Sequence, residues 1–327
     1  MGVPRRRALL ALTAAAVAAS PAGVALAQEF PSRPITLIAA GAAGGPTDTI
    51  TRILADSMGR HLSQPVVVEA VGPANVATQR LATSKPDGYT LMVTNVGMAA
   101  SATLFRHLPY DIPNSFAPLG LVSDAAMTLV ARPDFPAADL KGYMAALARD
   151  KDKLNLSTAG LSSAANLCGL LVQKAADAQA TVIVFRGTGP AIGEMMAGRI
   201  DIMCDQATNT VPFIRDGRVK AYGVTSAQRL PGLPDLPTTA EAGFPGISMS
   251  AWHGMFAPAG TPEPVQEALS AALRGALKEE RLRARFADLL TEPASDERAT
   301  PAFHRRFLVE EVERWRPVIQ AAGAYAD

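Results

Sequence analysis

Three short stretches of this chain place glycine and hydroxyl-bearing residues at the end of an apolar run. They are Gly41-Ala42-Ala43-Gly44-Gly45-Pro46-Thr47-Asp48, Thr158-Ala159-Gly160-Leu161-Ser162-Ser163 and Arg186-Gly187-Thr188-Gly189-Pro190. A helix opening after such a turn presents N–H groups with no partner inside the helix and a partial positive charge. It can therefore bind an anion without a lysine or arginine. Gly44 and Gly45 let a ligand approach the backbone closely, and Thr47 fits a helix cap. Ser162 and Ser163 add hydroxyls that can donate to a carboxylate. Tight turning and capping explain any one of these turns equally well; three in one chain point to a bound anion. Asp48, in a first helical turn, has the chemistry of a catalytic carboxylate, but the helix dipole already explains it and it equally suits orienting a ligand's ammonium group or a bound water. Asp205, just past a strand, carries the same ambiguity. Arg186 grips a carboxylate if it faces a cleft and is a solvated charge if it faces outward.

Other chemistries fail on spacing. A phosphate-binding P-loop ends in Gly-Lys-Ser/Thr, but here Gly45 is followed by Pro46-Thr47. Gly-x-Gly-x-x-Gly is absent, so no nucleotide cofactor is expected, and no Gly-x-Ser-x-Gly elbow supplies a nucleophile. His253, in Ala251-Trp252-His253-Gly254, has no partner defined by sequence and reads as structural. Two cysteines and four scattered histidines rule out a cysteine-only zinc site and make no metal cluster. The reading is of a binding protein rather than an enzyme, with no catalytic, cofactor or metal residues assigned.

Elements that alternate in period must hold those turns. Ile35–Ala40 is a short β-forming run, after which Ile50, Ile53, Leu54, Met58 and Leu62 recur at helical spacing. Val66–Glu69 and Tyr89–Thr94 read as further strands, with a turn at Pro86-Asp87-Gly88. The unit returns at Leu154–Ser157, followed by a helix bearing Leu167, Leu170 and Leu171, and again at Val182–Phe185, followed by one bearing Ile192, Met195 and Met196. Ile200–Cys204 and Val219–Thr225 are strands, and two stretches, 264–290 and 302–322, are helical. Such alternation predicts an α/β fold with a parallel sheet between helices, whose strand-end turns line a crevice. Asp205 sits just past such a strand end.

The 327 residues are enough for two domains, and 48% hydrophobic against 19% charged residues fits a folded chain with a sizeable core. A net charge of +1 leaves no footprint for nucleic acid. Residues 1–27 read as an export signal: Arg5-Arg6-Arg7, an apolar run from Ala8 to Ala19, and Ala25-Leu26-Ala27 before the cut. The run is shorter than the roughly 20 residues that span a bilayer, and the first arginines also resemble a twin-arginine signal. The expectation is a soluble periplasmic protein. Cys168 and Cys204 can pair in an oxidising compartment or remain buried thiols; spacing does not decide between these.

Read in order, the motifs resemble the Bug-type receptors, the extracytoplasmic solute-binding components of tripartite tricarboxylate transporters. The resemblance rests on Phe30–Ile38, Ala43–Asp48, Lys85–Leu91, Gly187–Ala191, Leu233–Thr238 with Glu241-Ala242-Gly243, and Trp252–Pro262, and it covers essentially the whole mature chain. It implies a type-II periplasmic-binding-protein fold of two α/β lobes with a hinge and a central cleft. Lobe one would be residues 28–122 plus 250–327 and lobe two 123–249, with crossings near 121–123 and 248–250. It further implies a monomer that holds a small organic carboxylate and passes it to a membrane permease; the alternatives are the same fold as a ligand sensor for a membrane signalling partner and, behind it, a secreted hydrolase or lyase. Carried over by position, the ligand loops are Ala43–Asp48 and Thr158–Asn166, with Thr94, Asn95, Arg186, Gly187, Thr188 and Asp205 beside them. Three segments depart from the family pattern: Asn166-Leu167 for His-Leu, Phe185-Arg186-Gly187 for Tyr-Lys-Gly, and Ala70–Asn75 for a glycine-rich Asn-Arg-Pro stretch.

Overall fold

The computed structural model describes residues 30–150 and 153–326. The export signal expected over 1–27 lies outside them. The chain begins with three β–α units: β1 (Ile35–Ala40) and α1 (Pro46–Leu62), β2 (Val66–Val71) and α2 (Ala74–Ala82), β3 (Thr90–Asn95) and α3 (Gly97–Leu104). A long strand, β4 (Phe116–Ala131), leads to α4 (Leu140–Asp150). Three more units follow: β5 (Asn155–Thr158) and α5 (Ala164–Ala176), β6 (Thr181–Val184) and α6 (Thr188–Met196), β7 (Ile202–Gln206) and α7 (Ala207–Arg215). After β8 (Lys220–Val224) the chain closes with β9 (Ser250–Pro258), α8 (Glu263–Lys278), α9 (Glu280–Asp288), β10 (Thr291–Pro293) and α10 (Pro301–Ala322).

Helix α1 shows why the pattern folds this way. Ile50, Ile53, Leu54, Met58 and Leu62 are all buried, while Arg52, Asp56 and Arg60 on the other face stay exposed. Ser63, in the left-handed region at φ 52°, ends the helix. Residues 264–290, expected as one helix, are instead two. Glu279 takes an extended conformation between α8 and α9, and its carboxylate meets Ser57, Arg60 and His61 of α1. Those side-chain partners hold the break in place.

The strand order is β2-β1-β3-β9-β4-β7-β5-β6. β1 runs parallel to β2 and β3, and β5 runs parallel to β6 and β7. The centre is not parallel. β9 returns from the far end of the chain antiparallel to both β3 and β4, and β4 is antiparallel to β7 and β8. β4 pairs with β9 as far as Ala126 and with β7 and β8 from Met127 and Thr128 onward. One strand thus serves both parallel wings of the sheet.

Two further ties fix this frame. Trp252 of β9 and Trp315 of α10 both donate to the buried carboxylate of Glu311, at 2.8 and 3.2 Å. Cys168 of α5 and Cys204 of β7 form a disulfide with Cα atoms 5.8 Å apart, which decides the question the sequence left open.

Candidate functional site

Where β1, β5, β6 and β7 end, their turns enclose a cavity of about 690 Å³. That lies within the roughly 300–1,000 Å³ of pockets that take small ligands. From the first turn, Ala43, Gly45, Pro46 and Thr47 reach it. Gly44 and Asp48 do not. Asp48 is buried, and its Oδ2 accepts the Gly44 N–H at 2.8 Å, while Arg52 binds both carboxylate oxygens at 3.0 Å. The acid is spent on closing the turn, with Gly44 at φ 74° where a side chain would be strained. Pro46 has no N–H, so the first turn of α1 offers those of Thr47 and Asp48.

The second turn is braced in the same way. Ser163 caps α5, accepting the Asn166 N–H at 3.1 Å and donating to the Gly160 carbonyl at 2.7 Å. Asn166 is buried outside the cavity, and its amide donates to the Leu161 carbonyl at 2.8 Å. What lines the cavity is Ala159, Gly160, Ser162 and Ser163, followed by Ala164 and Ala165 at the start of α5. The N–H groups of these two alanines have no carbonyl partner inside the helix.

The third turn contributes Arg186, Gly187 and Thr188 at the start of α6. Arg186 is exposed at the cavity edge and makes no ion pair among the described residues. Asn95 also lines the cavity, donating to Thr47 Oγ1 at 3.2 Å and accepting the Gly97 N–H at 3.0 Å, whereas Thr94 is buried in β3 away from it. Three helix N-termini from different parts of the sheet therefore open into one space.

One carboxylate stands among them. Asp205, at the end of β7, lines the cavity and is only 1% exposed. Burial pushes its carboxyl up to about 6, partly offset by the neighbouring Thr188 hydroxyl and Gln206 N–H. Asp205 Oδ2 and Gln206 Oε1, both buried, have no hydrogen-bond partner among the described residues. Residues without chemistry in their side chains complete the wall: Ala70, Gly72, Pro73, Phe105, Val184 and Phe185 among them. Of these, only 70–75 and 185 carried a sequence signal, as departures from the family pattern.

The two wings also touch beside the cavity. A methyl group at Gly97 would collide with the Ser162 carbonyl, and one at Gly187 would come within 2.7 Å of the Ala42 side chain.

This fold and site define a periplasmic binding protein of the α/β type. The periplasmic binding protein BugD superposes with a TM-score of 0.87 at 37% identity, covering 91% of this chain and 100% of that one. MatC from Rhodopseudomonas palustris with bound malate superposes at 0.85 with 38% identity, covering 89% and 100%. A UPF0065 protein in the TAR-I ttuE-ttuC' intergenic region of Agrobacterium vitis is 40% identical over 92% of this chain and 88% of its own length. The model of the tripartite tricarboxylate transporter family receptor matches residues 50–324, and the chain belongs to that family.

Proposed function

We propose that this protein is an exported, monomeric receptor that captures a small organic carboxylate between two lobes and delivers it to a membrane permease. The observation that carries the reading is the convergence of α1, α5 and α6 N-termini on one cavity, with Arg186, unpaired among the described residues, at its edge. The malate bound to MatC supports a carboxylate as the ligand class. The lobes would be residues 28–122 with 250–327, and 123–249; the hinge lies close to Ala126 and Met127, where β4 changes partners. In the closed form the ligand's negative charge meets fixed N–H dipoles out of water, where they act more strongly. A permease that recognises only the closed form would then receive only loaded receptor. No reacting group is required, and the protein acts by binding alone.

A thermal-shift screen tests this directly. At least one carboxylate should raise the melting temperature while its amide does not. Gly45→Val should abolish that shift: φ at Gly45 is an ordinary −77°, so the backbone accepts a side chain, but the added carbon would sit in tight contact, 3.1 Å from the Ala42 carbonyl, at the approach to the helix end. Circular dichroism of the unliganded variant checks that the fold is kept. Normal binding by Gly45→Val would show that the first turn does not hold the ligand.

A further inference from the structure

Among the cavity residues, Asp205 fits a pure anion site worst. A buried acid with a structural role is paired with a cation or accepts hydrogen bonds at both oxygens. Asp205 makes no ion pair among the described residues, its Oδ2 has no partner, and it shares a lining with three helix ends built to attract negative charge. Gln206 beside it leaves Oε1 equally unpartnered. An amide can turn to offer its NH2 group, but an ionised carboxylate can only accept. The discriminating member of the pair is therefore Asp205.

We propose that the cleft selects carboxylates carrying a hydroxyl or ammonium donor next to the acid group, and that Asp205 reads that donor. This rests on the carboxylate-receptor reading and names the ligand class within it. A plain carboxylate brought to the helix ends leaves Asp205 Oδ2 unsatisfied and adds a second negative charge beside it. A 2-hydroxy or 2-amino acid supplies the missing donor in the same pose. Sites that must hydrogen-bond a ligand group reject the analogue lacking it far more strongly than apolar pockets reject a missing methylene. At neutral pH the carboxyl, held at about 6 by its burial, is mainly ionised and available as an acceptor.

Calorimetric titration at pH 7.5 of the exported, disulfide-bonded protein tests this with matched pairs: malate and succinate, 2-hydroxyglutarate and glutarate, mandelate and phenylacetate. Within each pair that binds, the hydroxy acid should bind roughly tenfold or more tightly, as expected for a hydrogen bond to a charged group. Asp205→Ala should bring the pair to within about twofold, by weakening the hydroxy acid and leaving the deoxy acid as tight or tighter. Asp205→Asn, closer in shape, should narrow the gap in the same sense if the alanine variant folds poorly. Equal binding of both members by the wild type overturns the inference and leaves the receptor reading standing, as does a variant that weakens both members alike. Failure of every acid to bind overturns both.

Discussion

Asp205 is costly where it stands. Its carboxyl is raised by burial to about 6 from an ordinary value of 3.8, so the folded state takes up a proton at a higher pH than the unfolded chain does. Stability from this group is greatest below the unfolded value and is lost as pH rises through 6. Asp205→Asn should accordingly raise the melting temperature at pH 7.5, by an amount on the order of 1–3 kcal/mol or a few degrees, and by less at pH 4.5. Thermal denaturation of both proteins at the two pH values checks this; a variant less stable at pH 7.5 would mean that the acid is well solvated or paired. The contrast with Asp48 is instructive. Both acids follow or precede a turn in ways the sequence shows, yet one is consumed by Gly44 and Arg52 and the other keeps one oxygen, Oδ2, without a partner among the described residues. Type and spacing placed both near the site, but side-chain direction depends on hydrogen bonds made after folding, and for the same reason Asn166 and Thr94 turned out to lie away from the cavity.

At the level of elements, the turns and their flanking strands were readable because each couples an apolar run, a glycine and a change of period. β4 was not. It is sixteen residues long and almost wholly buried, so it has no alternation, and Pro118 and Gly120 interrupt it as a turn would. The structure absorbs them as irregularities in the β4–β9 register. The antiparallel centre was equally hidden, since β9 pairs with strands more than a hundred residues earlier. That centre carries two buried histidines. His253 of β9 faces Ser123 at 3.2 Å, and His304 of α10 accepts the Gly120 N–H at 3.2 Å. Desolvation lowers both to about 3 from 6.5, so the unfolded chain gains protons that the folded one refuses. Their stabilisation is whole above pH 6.5 and is lost as pH falls from there toward 3, by up to about 1.4 kcal/mol per pH unit for each. Denaturant midpoints measured at pH 7, 5.5 and 4.5 should fall in step, and His304→Gln should flatten the slope. An unchanged slope would place the lost stability elsewhere.

For the whole molecule, the contact between wings at Gly97 and Ser162 would limit how far the proposed cleft can shut. Gly97→Ala should weaken carboxylate binding by roughly tenfold or more, since relieving such a clash costs on the order of 1–3 kcal/mol. The unliganded melting temperature should change little, because an opened cleft removes the collision. Small-angle scattering with and without ligand is the decisive measurement: the wild type should contract on binding, whereas the variant should not. Contraction of both alike would mean that Ser162 moves aside. A separate consequence comes from the bond between Cys168 and Cys204. It fastens the helix whose first N–H groups face the cavity to the strand that ends in Asp205. Receptor produced in the reducing cytosol of an expression host leaves both sulfurs as thiols. A ligand survey on such a preparation interrogates a looser molecule than the disulfide-bonded one, and its negative results do not transfer.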